Sequence, residues 1–199
     1  FHTKDDFLPI VSASGSLRGP WGEGGGDVIG DGFNGVPTHL RICFYSNVED
    51  KFYEGEFDLP SEEIEKLLQQ ENTDPFYQGK TYDDTQSGKE LKYMTYNKII
   101  ASVTLGGEVT VWLGSSQQSR QQKLIATYFA KETPNVKWQD IFDYSSREES
   151  LLYNMEKLFS EKIKLEIKSK TLPFNLWSTF KEKYNWRFKL QGENGEKLN

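Results

Sequence analysis

The sequence predicts an α+β protein on a mainly antiparallel β-sheet built from hairpins, and three observations carry that reading. Leu40, Ile42 and Phe44 alternate with Arg41, Cys43 and Tyr45. Beyond Asn47-Val48-Glu49-Asp50, Tyr53, Gly55, Phe57 and Leu59 alternate with Phe52, Glu54, Glu56 and Asp58. Two period-2 runs around a short polar turn make a hairpin with one apolar face and one wet, acidic face. A second hairpin is marked by Gly106-Gly107, between Ile99, Ala101, Val103, Leu105 and Val109, Val111, Leu113. Both glycines tolerate the positive φ that such a turn requires. Helical spacing dominates the last third, and strands followed by helices, without βαβ alternation, indicate α+β.

The remaining elements follow in chain order. Residues 1–37 are rich in Gly, Ser, Pro and Asp. They read as irregular chain over the surface, with one short strand near Phe7 to Ser12 and Trp21 as an anchor. Pro60-Ser61-Glu62-Glu63 opens a helix capped by Ser61, buried through Ile64, Leu67 and Leu68 and ending near Glu71-Asn72. Thr73 to Lys92 is polar and reads as a long loop. Leu124, Ala126 and Tyr128 alternate with Ile125, Thr127 and Phe129 and add a strand. Pro134 to Tyr144 reads as a loop holding Trp138 and Phe142. Leu151, Leu152, Met155, Leu158 and Phe159 stand at helical spacing from Ser146 to about Lys162. Ile163, Leu165 and Ile167 then alternate with Lys and Glu, which reads as a strand. Pro173 opens a helix with Trp177, Phe180 and Tyr184 on one face. Trp186, Phe188 and Leu190 form a closing strand, and residues 192–199 a frayed tail.

A length of 199 residues suits a single domain over 1–199 with one sizeable core. With 24 basic against 30 acidic residues the net charge is −6. Scattered cations on an acidic chain argue against nucleic acid, whose phosphates need a clustered basic face. The high aromatic content suits a β-rich core. Cys43 is the one cysteine; in its apolar run it reads as a small buried hydrophobe. No stretch approaches the ~20 apolar residues of a membrane-spanning helix.

Chemistry-bearing motifs are few. Gly30-Asp31-Gly32-Phe33-Asn34-Gly35 matches G-x-G-x-x-G by letter, but Val36-Pro37 and a strand follow it, so a phosphate would find no helix N-terminus. Asp27, Asp31 and Asn34, like Asp74, Asp83 and Asp84, lack calcium-loop spacing. With His2 and His39 alone, a zinc site or a catalytic triad has few ligands to draw on. Gly15-Ser16-Leu17-Arg18-Gly19 lacks the register of a nucleophile elbow. Glu54 and Glu56, about 7 Å apart along one strand face, have a spacing that suits glycoside hydrolysis. A solvated outer face explains them more simply. No catalytic residue, metal ligand or cofactor is assigned.

The run Ser46-Asn47-Val48-Glu49-Asp50-Lys51-Phe52-Tyr53-Glu54-Gly55-Glu56-Phe57-Asp58-Leu59-Pro60 resembles the signature of the domain of unknown function 2931 family. The resemblance extends to Trp21-Gly22, to the segment from Leu105 to Leu113, and to Leu176-Trp177 and Tyr184-Asn185-Trp186. Leu105 stands where the family often has proline, which touches turn geometry rather than chemistry. The resemblance implies an exported lipoprotein of Gram-negative bacteria, some relatives lying beside toxin or type VI secretion genes, with no established activity to carry over. The function expected is that of a non-enzymatic, toxin-immunity-like or other protein-interaction lipoprotein. Its partner would be a secreted effector or toxin, and its place periplasmic or outer-membrane-associated, through a lipid anchor preceding Phe1. Two alternatives stand beside it: a glycan-binding surface lipoprotein using the loop rings Tyr77, Tyr82, Trp138 and Tyr144, and a hydrolase with an unrecognised site.

Overall fold

A computed structural model describes residues 1–2, 35–84, 88–115, 122–134, 136–141, 146–174 and 176–179. The fold is α+β, and among the described residues its hairpins form three antiparallel sheets. Strands β1 (His39–Ser46) and β2 (Lys51–Asp58) pair as the alternation predicts, with Leu40 opposite Phe57 and Phe44 opposite Tyr53. At the turn the Asp50 N–H donates to the Ser46 carbonyl at 2.8 Å, and Asp50 takes a left-handed φ of 55°. Odd residues of β1 and even residues of β2 share the outer face, so Cys43 is exposed opposite Glu54 instead of buried.

Helix α1 (Ser61–Leu68) buries Ile64 completely, worth about 1.5–3 kcal/mol. Ser61 is its first residue and not its cap. Pro60 holds the cap position and no side chain caps the helix; the Ser61 N–H is met by the Leu59 carbonyl. The helix also stops earlier than expected. Glu71 bridges to Met94, and the Asn72 N–H donates to the Tyr93 carbonyl, which draws the chain away from the helix axis.

The segment expected as a long loop contains a hairpin, β3 (Thr81–Asp84) and β4 (Lys89–Lys92). Among the described residues these strands pack chiefly on each other and form an exposed arm. Its neck is closed by two residues that are 2 % exposed, Asn72 and Thr95. The Thr95 N–H reaches the Gln70 carbonyl, its hydroxyl the Glu71 carbonyl, and the Asn72 amide the Met94 carbonyl. Neither described face of the arm is buried, so no apolar alternation betrays its strands in sequence.

The third sheet is β5 (Lys98–Val103), β6 (Glu108–Gly114) and β7 (Gln122–Phe129), joined first by a 3-10 turn at Leu105–Gly107. Both turn glycines have φ of 76°, as the Gly-Gly signal requires. Ala101 faces Val111 and Val103 faces Val109; a bulge interrupts β6 and β7 at Val111/Trp112. Past Ala130 the chain continues as β8 (Lys131–Glu132), which pairs with β2 in the first sheet. One run of chain therefore serves two sheets, as at the corners of packed-sheet folds. Leu40, Tyr53, Leu59, Ile64, Val109, Val111, Leu113 and Ala130 form the core between them.

The C-terminal helices correct the expectations further. Trp138–Ile141 is one helical turn, α2, within the segment expected as loop. The long helix from Ser146 is divided into α3 (Arg147–Tyr153) and a π turn at Asn154–Leu158. The expected strand over 163–167 is helix α4 (Glu161–Ser169). Ser160 caps it, Glu161 pairs with Lys164, and Lys170 closes it in the left-handed conformation. Local capping thus overrides the apparent period-2 pattern. Helix α5 (Leu176–Thr179) follows Pro173. The predicted strands at 7–12 and 186–190, Trp21, Phe142, Phe180, Tyr184 and the tail lie outside the described residues.

Ser146 and Glu149 form a reciprocal capping box at α3. Ser146→Ala is expected to cost about 1 kcal/mol, read as a lower denaturant midpoint with an unchanged slope.

Candidate functional site

The first turn gathers more polar contacts than a surface turn needs. The Glu49 carboxylate accepts from the Ser46 and Tyr53 hydroxyls at 2.7 Å each, and from the Gly106 N–H at 3.1 and 3.2 Å. One side chain of the first hairpin therefore clasps the turn of the second. Asp50 accepts from the Tyr45 hydroxyl and from Arg147, whose guanidinium also reaches the Asp50 carbonyl at 2.8 Å. The Asn154 amide donates to Asn47 at 2.8 Å. Asn47, Glu49 and Asp50 thus tie β1–β2 to the β5–β6 turn, to α3 and to the π turn. The work of these acids is positional.

Burial, reinforced by hydrogen bonding to Asp50 and to Glu49 respectively, pushes the Tyr45 and Tyr53 phenols well above their usual value. Such groups contribute stability that is complete below about pH 10, their unfolded value, and is lost as pH rises toward the folded value. Each adds a slope of about 1.4 kcal/mol per pH unit in that window. Urea midpoints between pH 9 and 11.5 are expected to fall less steeply for Tyr45→Phe and Tyr53→Phe than for the parent chain.

The outer face of the first hairpin is divided. Near the turn, Tyr45 and Phe52 stand opposite each other, ring centroids 4.8 Å apart, and Trp138 packs edge-on to Tyr45 at 5.0 Å. Trp138 is only 7 % exposed. The sequence placed it in a loop as a ring for ligands; it instead covers the apolar pad left by Tyr45 and Phe52. Farther along, Glu54 pairs with Arg41 at 3.5 Å, and Glu56 lies 3.9 Å from His2. His39 bonds Thr38 at 2.6 Å, pairs with Asp58 at 3.0 Å and stacks on His2. Each acid of the pair considered for glycoside chemistry thus has a basic neighbour on an open face. Partial burial and the neighbouring Glu54 push the Cys43 thiol up, Arg41 opposing, so little nucleophilic thiolate is present at neutral pH.

The arm brings two of the predicted ring residues together. Tyr77 and Tyr82 both lean on Tyr93, at 5.0 and 4.9 Å between centroids, and Phe76 packs edge-on to Tyr77. Tyr93, which is not one of the four loop rings, links Tyr77 to Tyr82. Phe76 is 64 % exposed beneath the Lys80 ammonium, 4.1 Å from its ring centre, and Tyr82 is 40 % exposed. Asp74 accepts from the Phe76 N–H while its own N–H donates to Asn72, which sets the loop entering the arm. A cleft of about 190 Å³ lies beside Tyr93, lined by Glu71, Gly79, Lys80, Thr81, Lys92 and Tyr93. Tyr144, Ser16 and residues 30–34 of the glycine run lie outside the described residues.

Among the described residues no three His, Cys, Asp or Glu side chains converge as a metal site. No helix there is long and apolar enough to cross a membrane. The family model described as "Protein of unknown function (DUF2931)" matches residues 7–175. The chain belongs to this family. The match runs through the clasp, the arm and helices α1 to α4. No curated protein and no solved structure matches the chain.

Proposed function

We propose that this member of the family is a non-enzymatic binding protein whose exposed arm docks a protein partner. The observation that carries this reading is the outward apolar surface of the arm and of the loop entering it: Phe76 in that loop, with Tyr82 and Leu91 on the arm, 40 % and 37 % exposed. Rings held on a hairpin with a closed neck lose little freedom on binding, which is what makes aromatic anchors effective at interfaces. The net charge of −6 favours a partner with a basic surface and speeds its encounter. The engagement of Glu54, Glu56 and His39 by neighbouring side chains supports a non-enzymatic role. The finer form of the reading is an exported, immunity-like lipoprotein that masks a secreted effector or toxin; it rests on the family resemblance.

The test is a pull-down from the native strain with the parent chain and with Phe76→Ser and Tyr82→Ser, beside co-expression with any toxin recovered. The expected result is one specific partner, depleted at least tenfold by either substitution, and protection by the parent chain. No partner and no protection would sink the proposal. Labelling the full gene product with a radioactive fatty acid, followed by fractionation, tests the lipid anchor and the exported location.

A second reading, glycan binding, is favoured by one observation. The cleft beside Tyr93 offers an aromatic ring together with charged and hydroxyl side chains.

A further inference from the structure

We propose that the cleft at the base of the arm is a subsite for a single neutral hexopyranose ring, presented at the end or along the side of a glycan. The inference rests on the glycan-binding reading and assigns it a place and a ligand. Glu71 and Lys92 lie side by side as an ion pair at 2.5 Å on one wall. An acceptor and a donor so placed match the two adjacent hydroxyls of a sugar, one of which donates while the other accepts. Charge-assisted hydrogen bonds of this kind are the stronger ones. Tyr93 supplies an aromatic wall, held in place by Tyr77 and Tyr82 packed against it. The apolar C–H face of a pyranose would lie there. Thr81 adds a hydroxyl, which also bonds Glu90, and Gly79 brings backbone to the cleft with open space where a side chain would stand. The volume of about 190 Å³ lies below the roughly 300 Å³ at which sites for drug-sized ligands begin. One ring fits that size, and a longer glycan would extend over the surface. Glu71 balances Lys92, and Lys80 leaves one net positive charge on a lining whose charged groups are exposed and stay hydrated beside a neutral ring.

The experiment is an NMR titration of the amide-labelled full chain with methyl glycosides of glucose, galactose, mannose and N-acetylglucosamine. Saturable shifts are expected for the amides of Gly79, Lys80, Thr81 and Tyr93 with at least one sugar. Lys92→Met and Glu71→Gln, which leave the aromatic pile intact, are expected to weaken that binding at least about tenfold each. Leu165→Ala, 66 % exposed on α4 and outside the cleft, should leave it unchanged. The same spectra report whether each variant keeps its fold. Saturable shifts confined to another surface, or unmoved by Lys92→Met and Glu71→Gln, would overturn the cleft assignment while leaving glycan binding standing. No saturable shift with any sugar, joined to silence on a glycan array, would overturn both.

Discussion

Gly107→Ala is expected to destabilise the protein by about 2–5 kcal/mol, combining left-handed backbone strain with overpacking. Gly107 has φ of 76°, and a Cβ there would stand 2.4 Å from the Ala130 carbonyl oxygen and 2.7 Å from the Tyr53 ring. Neither neighbour can withdraw easily. The Ala130 N–H donates to the Gly107 carbonyl at the corner where β7 becomes β8, and the Tyr53 ring lies in the core with its hydroxyl bound to Glu49. Gly106 provides the control, because it has the same φ but among the described residues its Cβ would meet only Phe174, at 3.4 Å. Gly106→Ala is expected to lose only the strain, about 1–2 kcal/mol. Urea unfolding of the two variants decides the matter. Equal losses would show that close approach of the sheets is not what Gly107 provides.

Glu49→Ala is the second large effect, with an expected loss of about 1–3 kcal/mol, since the buried Tyr53 hydroxyl is left unmatched. Tyr53 is 5 % exposed, so its hydroxyl would keep little access to water once the carboxylate is gone. The Gly106 N–H is exposed and can turn to solvent, so its share is small. Glu49→Gln keeps the shape but offers a single neutral acceptor, and should fall between the parent and Glu49→Ala. In a double-mutant cycle with Tyr53→Phe, coupling of about 0.5–3 kcal/mol is expected for side chains in contact. Strict additivity would mean that the clasp across the two hairpins contributes nothing. Asp50 and Arg147, each 42 % exposed on the side chain, should matter less, as ion pairs open to water do.

The alternation of Leu40, Ile42 and Phe44 with polar neighbours placed β1, and Gly106-Gly107 placed the second turn. In both cases a local pattern had one structural solution. The acids of the first turn were legible only as a turn. Their partners Gly106, Arg147 and Asn154 lie far along the chain, and nothing nearby in sequence announces them. A hint was present in composition: Asp50 holds a left-handed position where glycine is usual, within a turn that has no glycine at all. The arm leaves no apolar alternation in the sequence because exposed strands need no apolar face. Helix α4 was misread because Ile163, Leu165 and Ile167 fit period 2 as letters, whereas Leu165, 66 % exposed, fills no core position.

For the candidate site, sequence offered a set of rings and the fold sorted them. Tyr77 and Tyr82 meet on Tyr93, while Trp138 turns inward onto Tyr45 and Phe52. By itself the sequence determined the α+β class, the two principal hairpins and the membership of the family. These depend on side-chain alternation and turn chemistry within a few residues. Only the tertiary structure decided that Glu49 joins two hairpins, that Ala130 carries one strand between two sheets, and which rings face water. Those outcomes depend on which distant surfaces meet, and burial is a property of the meeting rather than of either segment.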